Sequence, residues 1–253
     1  MAQYSFGAGS LYGTALTDAN GNVIALPSPI KFGTLQEGSI EFNADSKTLF
    51  GENQFPVAVG RGKAKISGKA KFAQLNGAIL NSLFFGQSMS NGIFNTVNDV
   101  TGTTIPATPF QITVTPPSSG TFGSDLGVRD SNGLPMTRVA SAPATGQYTQ
   151  AGAIYTFSAA DTGKLVFISY QYTATSTTSK TLTIMNVAMG YAPAFQADFA
   201  IQYEGKPAVF RLFKCVASKL AFATKQDDFL IPEFDFEAFA NPAGQVCTIG
   251  LAE

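Results

Sequence analysis

A period of two governs residues 57 to 72, VAVGRGKAKISGKAKF, where five of the chain's 16 basic residues fall on alternate positions. Side chains of a strand alternate between its faces. Val59, Arg61, Lys63, Lys65, Ser67, Lys69 and Lys71 therefore point one way, and Gly60, Gly62, Ala64, Ile66, Gly68, Ala70 and Phe72 the other. One face is cationic and the other nearly bare. Such a strand runs roughly 50 Å at about 3.3 Å per residue, so it needs long neighbours, from its own chain or from another subunit.

Other segments read more briefly. Leu11 to Leu16 is a strand, Asp18 to Asn22 (DANGN) a turn, and the chain is extended again from Val23. A second hairpin reads at Thr34 to Phe42, followed by the long strand. Phe72, Leu75, Ile79, Leu83 and Phe84 then recur at helical spacing, with Gly86 as a C-terminal stop. From about Val97 to Thr181 the chain is rich in Thr, Ser, Gly and Pro. Candidate strands there are Phe110 to Thr115, Thr121 to Arg129, Leu134 to Ala140, Tyr148 to Ser158 and Lys164 to Ala174, separated by turns at SNG and ADTG. That rhythm predicts a β-sandwich inserted between polar, linker-like flanks. After it come strands at Phe195 to Tyr203, Pro207 to Ser218 and Phe229 to Ala240.

The last of these carries Asp227, Asp228, Glu233, Asp235 and Glu237, five acids within eleven residues. Glu233, Asp235 and Glu237 share a strand face opposite Leu230, Phe234 and Phe236. Alternating acids of this kind are commonly the exposed side of a strand, which is the preferred reading over a catalytic carboxylate pair. The cationic face of Arg61, Lys63, Lys65, Lys69 and Lys71 has three readings: a solvated face, a contact with DNA phosphates, or a surface paired with the acids of the next identical subunit. Burial of neighbouring lysines against one another would require those acids.

With 253 residues, 45% of them hydrophobic, the chain can bury a substantial core. A formal charge of −1 leaves no net field for nucleic acid or an acidic membrane. The absence of His removes the usual Ser-His-Asp and Cys-His arrangements and the commonest nitrogen ligand of zinc. No catalytic residue, cofactor site or metal site is expected. GRGKAKISGKA is not a phosphate-binding loop: five residues instead of four separate Gly62 from Gly68-Lys69, and Ala70 replaces the magnesium-binding hydroxyl. Cys215 and Cys247 read as buried free thiols, with a bridge as the alternative. The 22 Phe residues read chiefly as core filling. The N-terminal MAQYSFGAGSLYG carries no signal-peptide pattern and no run approaches a membrane span, so synthesis in the cytoplasm is expected.

Three blocks go beyond this class-level reading: EGSIEFN at Glu37 to Asn43, VGRGKAKISGKAKFAQLNGAILNSLFFG at Val59 to Gly86, and the C-terminal MGYAPAF, SKLAFATKQDDF and IPEFDFEAFANPAGQV. Together they resemble the tail tube (major tail) proteins of tailed bacteriophages. The resemblance implies a mainly β chain: a tail-tube-type β-sandwich or barrel with one flanking α-helix over residues 1–96 and 182–253, and an inserted, Ig-like β-sandwich over 97–181 on the tube exterior. It implies a structural virion protein whose copies form stacked hexameric rings, with long strands closing a DNA-conducting lumen. Implied partners are the chain itself, a tape measure protein inside the tube, tail terminator and tail tip or baseplate proteins, and double-stranded DNA in transient, non-specific passage, with no membrane. Assembly would take place in the bacterial host cytoplasm. Lumens of that family tend to be acidic, whereas this strand is basic on one face. Either that face lies against neighbouring subunits or nearby acids offset it. The alternatives are a phage surface decoration or adhesin module binding glycans or the host surface through 97–181, and the tube of a contractile secretion system.

Overall fold

The structure, a computed structural model, describes residues 6–74 and 77–252. It is mainly β. In chain order the strands are β1 (Ser10–Ala15), β2 (Pro29–Lys31), β3 (Leu35–Phe50), β4 (Pro56–Phe72), β5 (Met89–Asn91), β6 (Ile93–Val97), β7 (Thr103–Thr104), β8 (Gln111–Thr113), β9 (Thr121–Asp130) and β10 (Thr137–Arg138). They continue as β11 (Gln147–Ala151), β12 (Ile154–Phe157), β13 (Leu165–Ala174), β14 (Lys180–Leu182), β15 (Ala194–Tyr203), β16 (Lys206–Ala221), β17 (Glu233–Ala238) and β18 (Cys247–Leu251).

The chain divides into two compact units, one of Met1–Ser88 with Thr183–Glu253 and one of Met89–Leu182. The second unit begins earlier than residue 97, because β5 pairs with β14 and β6 with β13. At three and five residues, the two strands are too short to show a pattern in sequence.

In the first unit one antiparallel sheet has the order β2-β1-β15-β16-β17-β4-β3, with β18 also on β16. Its core is aromatic: Phe32, Phe72, Phe195, Phe234 and Phe236 are buried with Ile79, Leu83 and Leu212. Phe32 meets Phe72 edge-on at 5.7 Å between centroids, and Phe195 meets Phe236 the same way at 5.7 Å, a geometry that adds to plain burial. The expected helix is much shorter than its apolar spacing suggested. Phe72 still belongs to β4, Leu75 lies outside the described residues, and α1 (Gly77–Leu80) runs directly into a wider turn over Asn81–Phe85. Asn81 closes that turn on itself: its carbonyl accepts the Gly86 N–H at 2.5 Å, its Oδ1 accepts the Gln87 N–H at 3.0 Å, and its amide donates to the Gln87 carbonyl. Gly86 ends the segment with a φ of 59°.

The second unit has two main sheets, β10-β11-β12-β8 and one in which β13 is flanked by β9 on one side and by β6 and β7 on the other. Tyr148, Tyr155 and Phe157 from the first and Val166, Ile168, Tyr170 and Tyr172 from the second share one core. The segment Tyr148 to Ser158, read as a single strand, is a hairpin: Gly152 turns the chain with a φ of 58°. Most of Leu134 to Ala140 is not strand. Asp130 draws it into a turn, its Oδ1 accepting the N–H groups of Asn132 and Leu134.

Three carboxylates organise this unit. Asp125 accepts hydrogen bonds from the phenols of Tyr148 at 2.7 Å and Tyr155 at 3.0 Å. Burial first, and the adjacent Asp125 charge with it, pushes both phenols well above the usual tyrosine range. Asp161, buried, accepts the Gly146 N–H and pairs with Lys164 at 2.7 Å. Asp99 accepts N–H groups from Thr101, Gly102 and Ile168.

Candidate assembly surface on the long hairpin

The 17-residue β4 finds its long neighbour in its own chain: the 16-residue β3 pairs with it from Leu35↔Phe72 to Phe50↔Pro56. On its other side β4 is covered only from Ile66 to Lys71, by β17. The hairpin thus has two halves. The inner half is part of the sheet, while residues 56–65 of β4 have no second strand partner and the outer edge of β3 has none at all, among the described residues.

The alternation of residues 57 to 72 does not persist through the hairpin. Ala44 pairs with Ala64 but Ser46 with Arg61, so Asp45 alone faces Gly62 and Lys63. This is a β-bulge, which inserts one residue and exchanges the faces beyond it. A Cβ on Gly62 would stand 3.3 Å from the Asp45 carbonyl oxygen, so the crowded position suits glycine. Lys65, Lys69 and Lys71 lie level with Asn43, Ser39 and Glu37 on one face. Arg61 is turned to the opposite face, level with Ser46, which corrects the expectation of a single cationic face from Arg61 to Lys71.

The inner half carries its own counter-charges. Glu233, Asp235 and Glu237 of β17 stand opposite Lys71, Lys69 and Ser67 of β4. Lys65 pairs with Glu237 at 2.6 Å, Lys71 with Glu37 at 2.6 Å, and Lys219 of β16 with Glu233 at 2.7 Å. The hydrogen bond to Glu37 raises Lys71 above its ordinary value, and the one from Lys219 lowers Glu233. Asp235 lies level with both Lys69 and Lys219, with its Oδ1 buried and without a hydrogen-bond partner. The acids and bases matched in sequence therefore meet within one chain, and their complementarity no longer calls for another subunit. Asp227 and Asp228 precede β17 and are not part of this face; Asp228 approaches Lys225 at 4.0 Å. Arg61 and Lys63 make no ion pair among the described residues.

What sequence reasoning missed is the apolar character of the outer half. Leu49, Phe50, Phe55, Val57 and Val59 are exposed, Phe55 at 80%. Phenylalanine is thus only partly a core residue here. The available signal was the pair LF and FPV bracketing the turn GENQ, apolar residues at a hairpin tip where polar ones are usual.

The two cysteines are free; Cys215 is buried as expected, whereas Cys247 is only half-buried. Burial pushes the Cys215 thiol up to about 12, which leaves it unreactive at neutral pH. No helix among the described residues is long and apolar enough to cross a membrane. In comparisons with protein-family models and with curated proteins, this chain matches none.

Proposed function

We propose that the chain is a tail tube subunit of a tailed bacteriophage: a structural virion protein without enzymatic activity, which self-assembles into hexameric rings that stack into a DNA-conducting tube. On this reading the first unit is the tube body and the second, as an Ig-like β-sandwich, decorates the exterior. A tape measure protein would fill the lumen during assembly, and terminator and tip or baseplate proteins would close its ends.

The observation that carries the reading is the β3–β4 hairpin. Its length exceeds what the described residues of one subunit cover, it offers an edge unpaired among them along β3 and along residues 56–65 of β4, and its outer half exposes Phe50, Phe55, Val57 and Val59. Open edges of this length invite pairing with another chain, and closure into a barrel across copies removes them. Exposed apolar residues on the same segment supply the driving force.

Electron microscopy of the purified protein tests this directly. Rings or tubes with sixfold symmetry are expected, and a chain that stays monomeric at every concentration, with no place in virion tails, overturns it. A variant with residues 89–182 replaced by a short glycine linker should still assemble, because the hairpin and its sheet lie wholly in the first unit.

A further inference from the structure

Within the second unit a cleft of about 500 Å³ lies between the Asp130 turn and the loops around Gly146 and Lys164. Its floor is apolar, made by Ile105 and Val166, both buried, with Met136 beside them. Its rim is polar: Asp130, Ser131, Asn132, Thr145 and Lys164.

Both walls are held rigid by carboxylates that are already occupied. Asp130 uses Oδ1 to accept the Asn132 and Leu134 N–H groups, and its main chain is bonded to Leu134 and Gly133. Asp161 uses both oxygens, one on Gly146 N–H and one on Lys164. The opposing backbone is pinned at Ile105, whose N–H donates to the Lys164 carbonyl at 2.9 Å and whose carbonyl accepts the Gly163 N–H at 2.9 Å.

The hydrogen-bonding groups left over on the rim are of mixed kind, donors and acceptors together. Among the described residues Asp130 Oδ2, the Ser131 and Thr145 hydroxyls and the Asn132 amide have no partner, and Lys164 has two further N–H donors. They place exposed or half-buried donors and acceptors around an apolar floor. A ligand matching them has many hydroxyl groups on its rim and C–H bonds on its face, and a volume of about 500 Å³ accommodates one or two sugar rings. We propose that this cleft is a saccharide-binding site. A zwitterionic amino acid would satisfy Asp130 and Lys164 but leave the two hydroxyls and the amide unused, so it is the less complete match. This inference does not depend on the tube reading, and either can fail alone.

Saturation-transfer NMR on the full chain tests it, with a panel of glucose, galactose, mannose, N-acetylglucosamine and their common disaccharides as probes. At least one sugar should receive saturation. Asn132→Ala with Thr145→Ala should weaken that binding about tenfold, the effect of removing two hydrogen bonds. Both side chains are exposed and make no hydrogen bond among the described residues, so the fold is retained, as a circular dichroism spectrum would verify. Leu134→Ala, at an exposed rim position, provides a second folded variant that should also weaken binding. Absence of transfer to every sugar, transfer that the double variant leaves unchanged, or transfer to free amino acids instead of sugars would each overturn the proposal.

Discussion

Gly68 and Phe236 face each other across β4 and β17, and the phenyl ring lies so close over the glycine that a Cβ on residue 68 would collide with it. The long strand crosses the core with no side chain at this point, and a ring from its neighbour fills the space. Gly68→Ala should therefore destabilise the first unit by about 1–3 kcal/mol, the usual cost of overpacking a fixed core. Phe236→Leu in the same chain should recover part of that loss. Urea unfolding of the three proteins measures it, and an unchanged midpoint for Gly68→Ala would show that the ring simply moves aside.

The outer half of the hairpin separates stability from assembly. Phe55 is exposed at 80%, so Phe55→Ser should alter the unfolding free energy by no more than about 0.5 kcal/mol. Under the proposed function it should nonetheless shift the onset of tube formation, followed by light scattering, to higher protein concentration. Equal assembly of wild type and variant would remove the tip from the interface.

The Lys65–Glu237 pair is half exposed on its lysine side and joins adjacent strands of one chain. Lys65→Ala should cost less than about 1 kcal/mol, as exposed pairs do. Charge reversal at Lys63, which has no ion-pair partner among the described residues, should leave stability unchanged, and any effect it has on assembly reports a contact outside the chain. A double-mutant cycle over Lys65 and Glu237 gives the coupling directly.

Asp125 is the polar centre of the second unit. Tyr155→Phe removes one of its two phenol donors and should cost about 1–2 kcal/mol, whereas Asp125→Ala strands two buried hydroxyl groups and should cost about 2–4 kcal/mol. Tyrosine fluorescence is a suitable probe, since Tyr148, Tyr155, Tyr170 and Tyr172 all belong to this core.

Asp99 gives a pH dependence with a definite sign. Burial pushes its carboxyl up, but the N–H groups of Gly102, Ile168 and Thr101 together outweigh that and hold it below the ordinary 3.8. A carboxyl depressed on folding contributes stability in full above its unfolded value, and that contribution disappears as pH falls through the lower folded value. Acid unfolding of the second unit should accordingly steepen below pH 3.8. Asp99→Asn, less stable at neutral pH, should lose less over the same window, and parallel curves would exclude Asp99 as a source of the acid sensitivity.

Much of this architecture was legible in the alternation of residues, and the failures share a cause. β15, β16 and the inner half of β4 have one face on a core, and that face enforces a period of two. The stretch of β3 from Asn43 to Phe50, NADSKTLF, has solvent on both faces, so nothing selects apolar residues at alternate positions and its extension was invisible. The bulge at Gly62 and Lys63 was hidden for a related reason: glycines at 60, 62 and 68 fit a regular strand and a bulge equally well. The charge match between β4 and β17 was readable, but its location within one chain required the sheet order, which composition does not encode. The short helix was overread because Phe72 and Ile79 face one core from two different elements.

The pairing of Met89 with Leu182, where β5 meets β14, also bears on the route by which the chain folds. β4 must find β17 across a separation that contains the whole second unit. For an open chain, closing so long a loop costs about 2–3 kcal/mol more in entropy than closing one of a few residues. Once the second unit has folded, its first and last strands hold their ends side by side, and that search collapses to a short one. The insertion is self-contained in sequence, so it can complete before the C-terminal strands leave the ribosome. Its clasp then acts as a splint for the discontinuous sheet, and weakening β5–β14 should slow refolding of the first unit more than it lowers the stability of either.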